Sequence, residues 1–84
     1  MNVIKNIQFT ALVRINKQLH EFNFRKRSPE LYDADSGDEQ GNRYFFKMVK
    51  EEDKWIIQGV DLPAWITINE GLVSEALINK EGQL

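Results

Sequence analysis

The sequence predicts an α+β domain, an antiparallel β-meander of four to five strands packed on one face by a C-terminal α-helix. Three observations predict it. Apolar and polar residues alternate with a period of two over residues 7–15, the mark of a half-buried strand. Short runs of this kind recur, separated by polar turn segments, as in a meander. The period then changes: Leu72, Val73, Ala76 and Leu77 fall at helical spacing, so residues 70–80 read as an amphipathic helix.

The first strand spans about 7–15, with Ile7, Phe9, Ala11, Val13 and Ile15 on one face and Gln8, Thr10, Leu12 and Arg14 on the other. "NKQ" turns the chain. The second strand, about 19–25, alternates His20, Phe22 and Phe24 with Glu21, Asn23 and Arg25. Pro29 stops that pattern, because a proline cannot donate to a strand ladder. A short third strand is expected over 30–34. "DSGDEQGN" (35–42) reads as a turn, with Gly37 and Gly41 free to take positive φ. "RYFFKMV" (43–49) and "KWIIQ" (54–58) are the fourth and fifth strands, with "EED" between them. Gly59 ends the sheet. "DLPAWI" reads as one helical turn, capped by Asp61 with Pro63 at its start. Asn69 is the expected cap of the main helix, Glu70 suits its positive end, and Gly82 stops it. Trp65 reads as a core plug between sheet and helix, and Trp55 as a core or cross-strand partner.

The 84 residues make one domain, 1–84, too small to hide a deep pocket. Hydrophobic residues are 42% and charged residues 29%, the balance of a folded globule and not of a disordered chain. There is no cysteine, which excludes disulfides, thiol chemistry and cysteine zinc sites. The opening run "NIQFTALV" is short, is followed by Arg14 and has no small-residue cleavage motif. No apolar stretch approaches the roughly 18 residues of a membrane helix. The expectation is a soluble, cytoplasmic protein with no membrane partner.

Charge is unevenly placed along the chain, whose net value is −2. Residues 1–27 hold Lys5, Arg14, Lys17, Arg25, Lys26 and Arg27 against Glu21, whereas residues 28–42 hold only acids. Neighbouring strands can bring the two sets together.

The most chemistry-like string is "DADSGDEQGNR" (33–43). A calcium loop of the form D-x-[DN]-x-[DN]-G-x5-E fails here in both registers. Started at Asp33, the glycine position holds Asp38; started at Asp35, it holds Gln40. Asx residues and glycines suit a solvated turn. His20 is the only histidine, so histidine metal sites and catalytic triads lack partners; it reads as a partly buried side chain at a strand end. Ser28, Ser36 and Ser74 lie in no G-x-S-x-G context, and "GDEQG" lacks the lysine of a phosphate loop. No catalytic residue, metal ligand or cofactor is expected, and the protein reads as a non-enzyme.

Two features remain. Leu12, Phe45, Val49 and Ile56 oppose the main apolar faces of their strands. One short helix covers one side of such a sheet, so these residues either curl into the core or form an apolar second face. The leading expectation is therefore a small protein-binding or self-associating domain using that face. The alternative uses "FNFRKR" (22–27): Phe22 and Phe24 stack on bases while Arg25, Lys26 and Arg27 hold the backbone of a single-stranded nucleic acid. The overall acidity weighs against it.

Overall fold

The computed structural model describes residues 6–84. Strand β1, Gln8–Ile15, enters a two-residue hairpin with β2, Gln18–Ser28. Asn16 and Lys17 both have positive φ, 51° and 67°, the conformation whose twist matches the flanking strands. Strand β3 is Leu31–Gly37, β4 is Arg43–Glu51 and β5 is Lys54–Gln58. All pair antiparallel in the order β1-β2-β3-β4-β5, the expected meander with the third strand present. Two short-range elements follow, α1 at Ala64–Thr67 and α2 at Glu70–Glu81.

Strand β4 runs two residues past its expected end, to Glu51, and two boundaries differ further from expectation for identifiable reasons. Strand β2 continues through the basic run to Ser28, with a register shift between Lys26 and Ser28. Strand β3 continues through Asp35, Ser36 and Gly37, leaving only 38–42 as the turn. Ser36 is fully buried, yet its hydroxyl donates to the Glu21 carbonyl at 2.8 Å. A small hydroxyl with a backbone partner is therefore tolerated on the inner face.

The helix caps also differ. Asp61 does not cap α1; Pro63 occupies the N-cap position and no side chain bonds there. The Asn69 side chain donates back to the Trp65 carbonyl at 2.8 Å and does not cap α2. Gly59 is required by space: an added Cβ would lie 2.7 Å from Leu62 Cδ1 and 3.0 Å from Phe46 Cβ.

The core lies between the inner sheet face and the helices. Phe22, Phe24, Tyr32, Met48, Trp55, Ile66, Val73 and Leu77 are essentially inaccessible to solvent. Helix α2 packs against both ends of the sheet, β5 and β1, so the sheet curls around it. Its buried stripe is Val73, Ser74 and Leu77, while Leu72, expected inside, is exposed. Trp65 is only half-buried. It stacks on His20 at a centroid distance of 4.7 Å and meets Phe22 and Tyr44 edge-on. No helix among the described residues is long and apolar enough to cross a membrane.

Candidate functional site

Strand periodicity sends alternate side chains to the outer face, and strand register sets which of them meet. Thr10, Asn23, Asp35 and Phe45 form one cross-strand row. Arg25, Asp33, Lys47 and Gln58 form the next. Leu31, Val49 and Ile56 form a third.

The polar residues on this face bond to each other. The Thr10 hydroxyl donates to Asn23 Oδ1 at 2.6 Å, and Asn23 Nδ2 donates to Asp35 Oδ2 at 3.1 Å. The Arg43 guanidinium also pairs with Asp35. Asp33 accepts from Lys47 Nζ at 2.7 Å and from Arg27 Nε at 2.5 Å. These two cations, Lys47 foremost, hold the Asp33 carboxyl below its ordinary pKa. The acidic segment thus pairs with Arg27 of the basic strand end and with Arg43 and Lys47 of β4.

Asp38 organises the turn that follows β3. It accepts from the Asn42 side chain and from the backbone N–H groups of Gln40 and Asn42, at 2.9 to 3.0 Å. The Tyr44 hydroxyl donates to it at 3.2 Å. The Asn42 side chain leads in lowering the Asp38 pKa, and burial leads in raising that of Tyr44. Gly41, at φ +88°, completes the turn. Among the described residues no group of three or more His, Asp or Glu is placed to hold a metal ion.

The apolar set on the outer face divides. Phe45 is 70% exposed and borders a shallow hollow of about 550 Å³ whose walls include Val60, Gly59, Gln58, Lys47 and Asp35. Val60, at 83% exposure, stands outside any periodic pattern, so its place beside Phe45 is visible only once β5 pairs with β4. Val49 and Ile56 are half-buried beside Leu31, at the other end of the face beyond Lys47. Leu12 is 59% exposed but does not join them. It sits on the far edge strand, over a seam with Leu72 and Ala76 of α2.

The aromatic-basic run is not assembled as a stacking platform. Phe22 and Phe24 are wholly buried in the core and present no ring to a base. Arg27 is paired with Asp33, and Lys26 lies 3.7 Å from the Glu81 carboxylate. Only Arg25, among these three cations, has no ion-pair partner among the described residues.

Fold and site together define a small α+β domain with a curled meander sheet, a helix-filled inner face and an outer face that carries an exposed aromatic residue. No family model matches the chain, and neither a curated protein nor a solved structure does.

Proposed function

We propose that the protein is a non-enzymatic protein-binding domain and that the outer sheet face at Phe45 is its contact surface. The observation that carries this reading is the exposed pair Phe45 and Val60 flanking the hollow. An accessible aromatic ringed by polar groups is the arrangement of an interface anchor. The rim carries both signs of charge: Asp33 and Asp35 pair with Arg27, Lys47 and Arg43, and Arg25, which also lines the hollow, has no ion-pair partner among the described residues. The partner, a different protein, places an apolar side chain between Phe45 and Val60. Val49 and Ile56 extend the contact, and Leu12 lies outside it. The lack of cysteine supports a cytoplasmic setting.

The test is selection of peptides from a displayed random library against the folded domain. Bound peptides should carry an apolar anchor and lose at least about tenfold in affinity, roughly 1.4 kcal/mol, on Phe45→Ser or Val60→Ser. Peptides indifferent to both substitutions, or no enrichment at all, would sink the reading. No observation favours nucleic acid as a second reading, because the rings it needs are buried.

A further inference from the structure

The two edges of the sheet are treated differently. On β5 the outward N–H groups are occupied by α2: Trp55 N–H donates to Ser74 Oγ and Ile57 N–H to Glu70 Oε2, each at 2.9 Å. Strand β1 has no such cover among the described residues. Its hairpin closes on the pair Ile15 and Gln18, and Lys26 N–H donates to the Ile7 carbonyl. In an antiparallel ladder this phase turns the odd-numbered residues of β1 toward β2. The backbone groups of Gln8, Thr10, Leu12 and Arg14 therefore point away from the sheet. Among the described residues nothing bonds to them. The edge is also regular: it has no proline, its register with β2 is unbroken from Gln8 to Ile15, and Arg14 is its one charge. Natural sheets normally block such an edge with charge, proline, a bulge or a covering element.

We infer that β1 is a dimerisation edge and that its occupant is β1 of a second copy, paired antiparallel about a two-fold axis at Ala11. This is the register that opposes all four outward residues to one another, Gln8 to Arg14 and Thr10 to Leu12. It places Ala11, a small side chain, against its own copy at the closest approach, and Phe9 against Val13. The two Arg14 side chains stay roughly 20 Å apart, six residues along a strand, so like charges do not meet. The cleft of about 320 Å³ between β1 and α2, lined by Leu12, Leu72, Ala76, Asn79 and Gln83, then lies along the joined strands. Leu12 and Leu72, both exposed in the single chain, come to the dimer seam.

Closure follows from the asymmetry of the edges. With β5 occupied by Glu70 and Ser74, the described residues of each copy leave one open edge, so pairing stops at a two-fold dimer and does not run on as a fibre. The edge is separate from the Phe45 hollow, and different substitutions test the two surfaces.

Sedimentation equilibrium of the full chain, with amide hydrogen exchange at several concentrations, provides the test. The wild type should form a dimer, with the Thr10, Leu12 and Arg14 amides protected more strongly as concentration rises. Thr10→Pro removes an outward N–H without touching the β1–β2 ladder and should weaken the dimer by about tenfold or more. Leu12→Lys, which keeps the backbone intact, should weaken it as well, and Phe45→Ser should leave it unchanged. A strict monomer at all concentrations overturns the inference. So does a dimer whose Thr10, Leu12 and Arg14 amides exchange at a rate independent of concentration, and this readout needs no variant. A dimer lost on Phe45→Ser but not on Leu12→Lys also overturns it, while leaving the outer-face reading in place.

Discussion

The Tyr32 hydroxyl donates to Glu81 Oε2 at 2.8 Å, joining the central strand β3 to the last turn of α2. The ring of Tyr32 is buried against Trp55, Phe9 and Phe24, and Lys26 reaches the same carboxylate. Burial first, and then the Glu81 carboxylate, push the Tyr32 pKa above its ordinary value near 10. The folded chain thus favours the neutral phenol more strongly than the unfolded chain does. The resulting stability is fully present below the ordinary tyrosine value and is lost as pH rises beyond it. Urea unfolding of the wild type should show a falling midpoint above about pH 10. Tyr32→Phe should flatten that fall and cost about 1 kcal/mol at neutral pH for the lost hydrogen bond.

The capped edge of β5 gives a second expectation. Ser74 is buried, and its hydroxyl is the acceptor for the Trp55 N–H. Ser74→Ala leaves that donor unsatisfied inside the core, which costs roughly 1–3 kcal/mol. Glu70→Ala releases the half-buried Ile57 N–H at a smaller cost, because water can replace the carboxylate there. Denaturant titration checks the order of the two losses. Amide exchange should localise each one, with Trp55 accelerated in the first variant and Ile57 in the second.

These contacts explain which parts of the structure were legible in the sequence. Strand β5 was expected over 54–58 and runs Lys54–Gln58, because its apolar run is bracketed by charge and by Gly59. Strand β3 reads as ending at 34 in the sequence, because Ser36 and Gly37 carry turn chemistry and the sequence does not display the Glu21 carbonyl that satisfies Ser36. The helix stands where its periodicity predicts, with its buried face rotated: Leu72 is out and Ser74 is in. Hydrophobic periodicity counts only apolar side chains, and Ser74 is inside because a strand edge needs its oxygen. Parity alone put Phe45 opposite Tyr44 and Phe46. It also puts Leu12 on the outer face, but a shared face is not a shared patch: β1 is the far edge of the meander, so Leu12 lies beside Leu72 and Ala76 and away from Phe45, Val49 and Ile56.

The outer-face ion pairs predict an acid limb. Lys47 and Arg27 lower the Asp33 pKa, and Asn42 lowers that of Asp38. A folded pKa below the unfolded one gives stability that is present above the ordinary carboxylate range. That stability is lost as pH falls through it to the depressed folded value. Urea midpoints should decline as pH falls through and below the ordinary carboxylate range, about pH 4. Asp33→Asn should shallow the decline and lower the neutral-pH midpoint only slightly, since half-exposed pairs contribute about 0–1 kcal/mol. Asp38→Asn should act on a different segment, disordering the turn at 38–42, which the Gln40 and Asn42 amide shifts would report.

Phe24 and Phe45 are both strand phenylalanines, and burial separates their roles. Phe24 is wholly buried against Phe9 and Tyr32. Phe24→Ala removes a core ring and should cost roughly 3–5 kcal/mol, enough to leave so small a domain largely unfolded. Phe45 points outward, and Phe45→Ser should change stability by no more than about 0.5 kcal/mol while weakening peptide capture by about tenfold or more. Thermal melts and binding on the same preparations distinguish the two. A large stability loss in Phe45→Ser would mean that its ring packs against the strands beneath it, and its effect on binding would then say nothing about contact with a partner. The double variant Phe45→Ser with Val60→Ser sharpens the comparison. If both side chains grip one partner residue across the hollow, their losses in affinity should be non-additive, whereas their negligible effects on folding should simply sum.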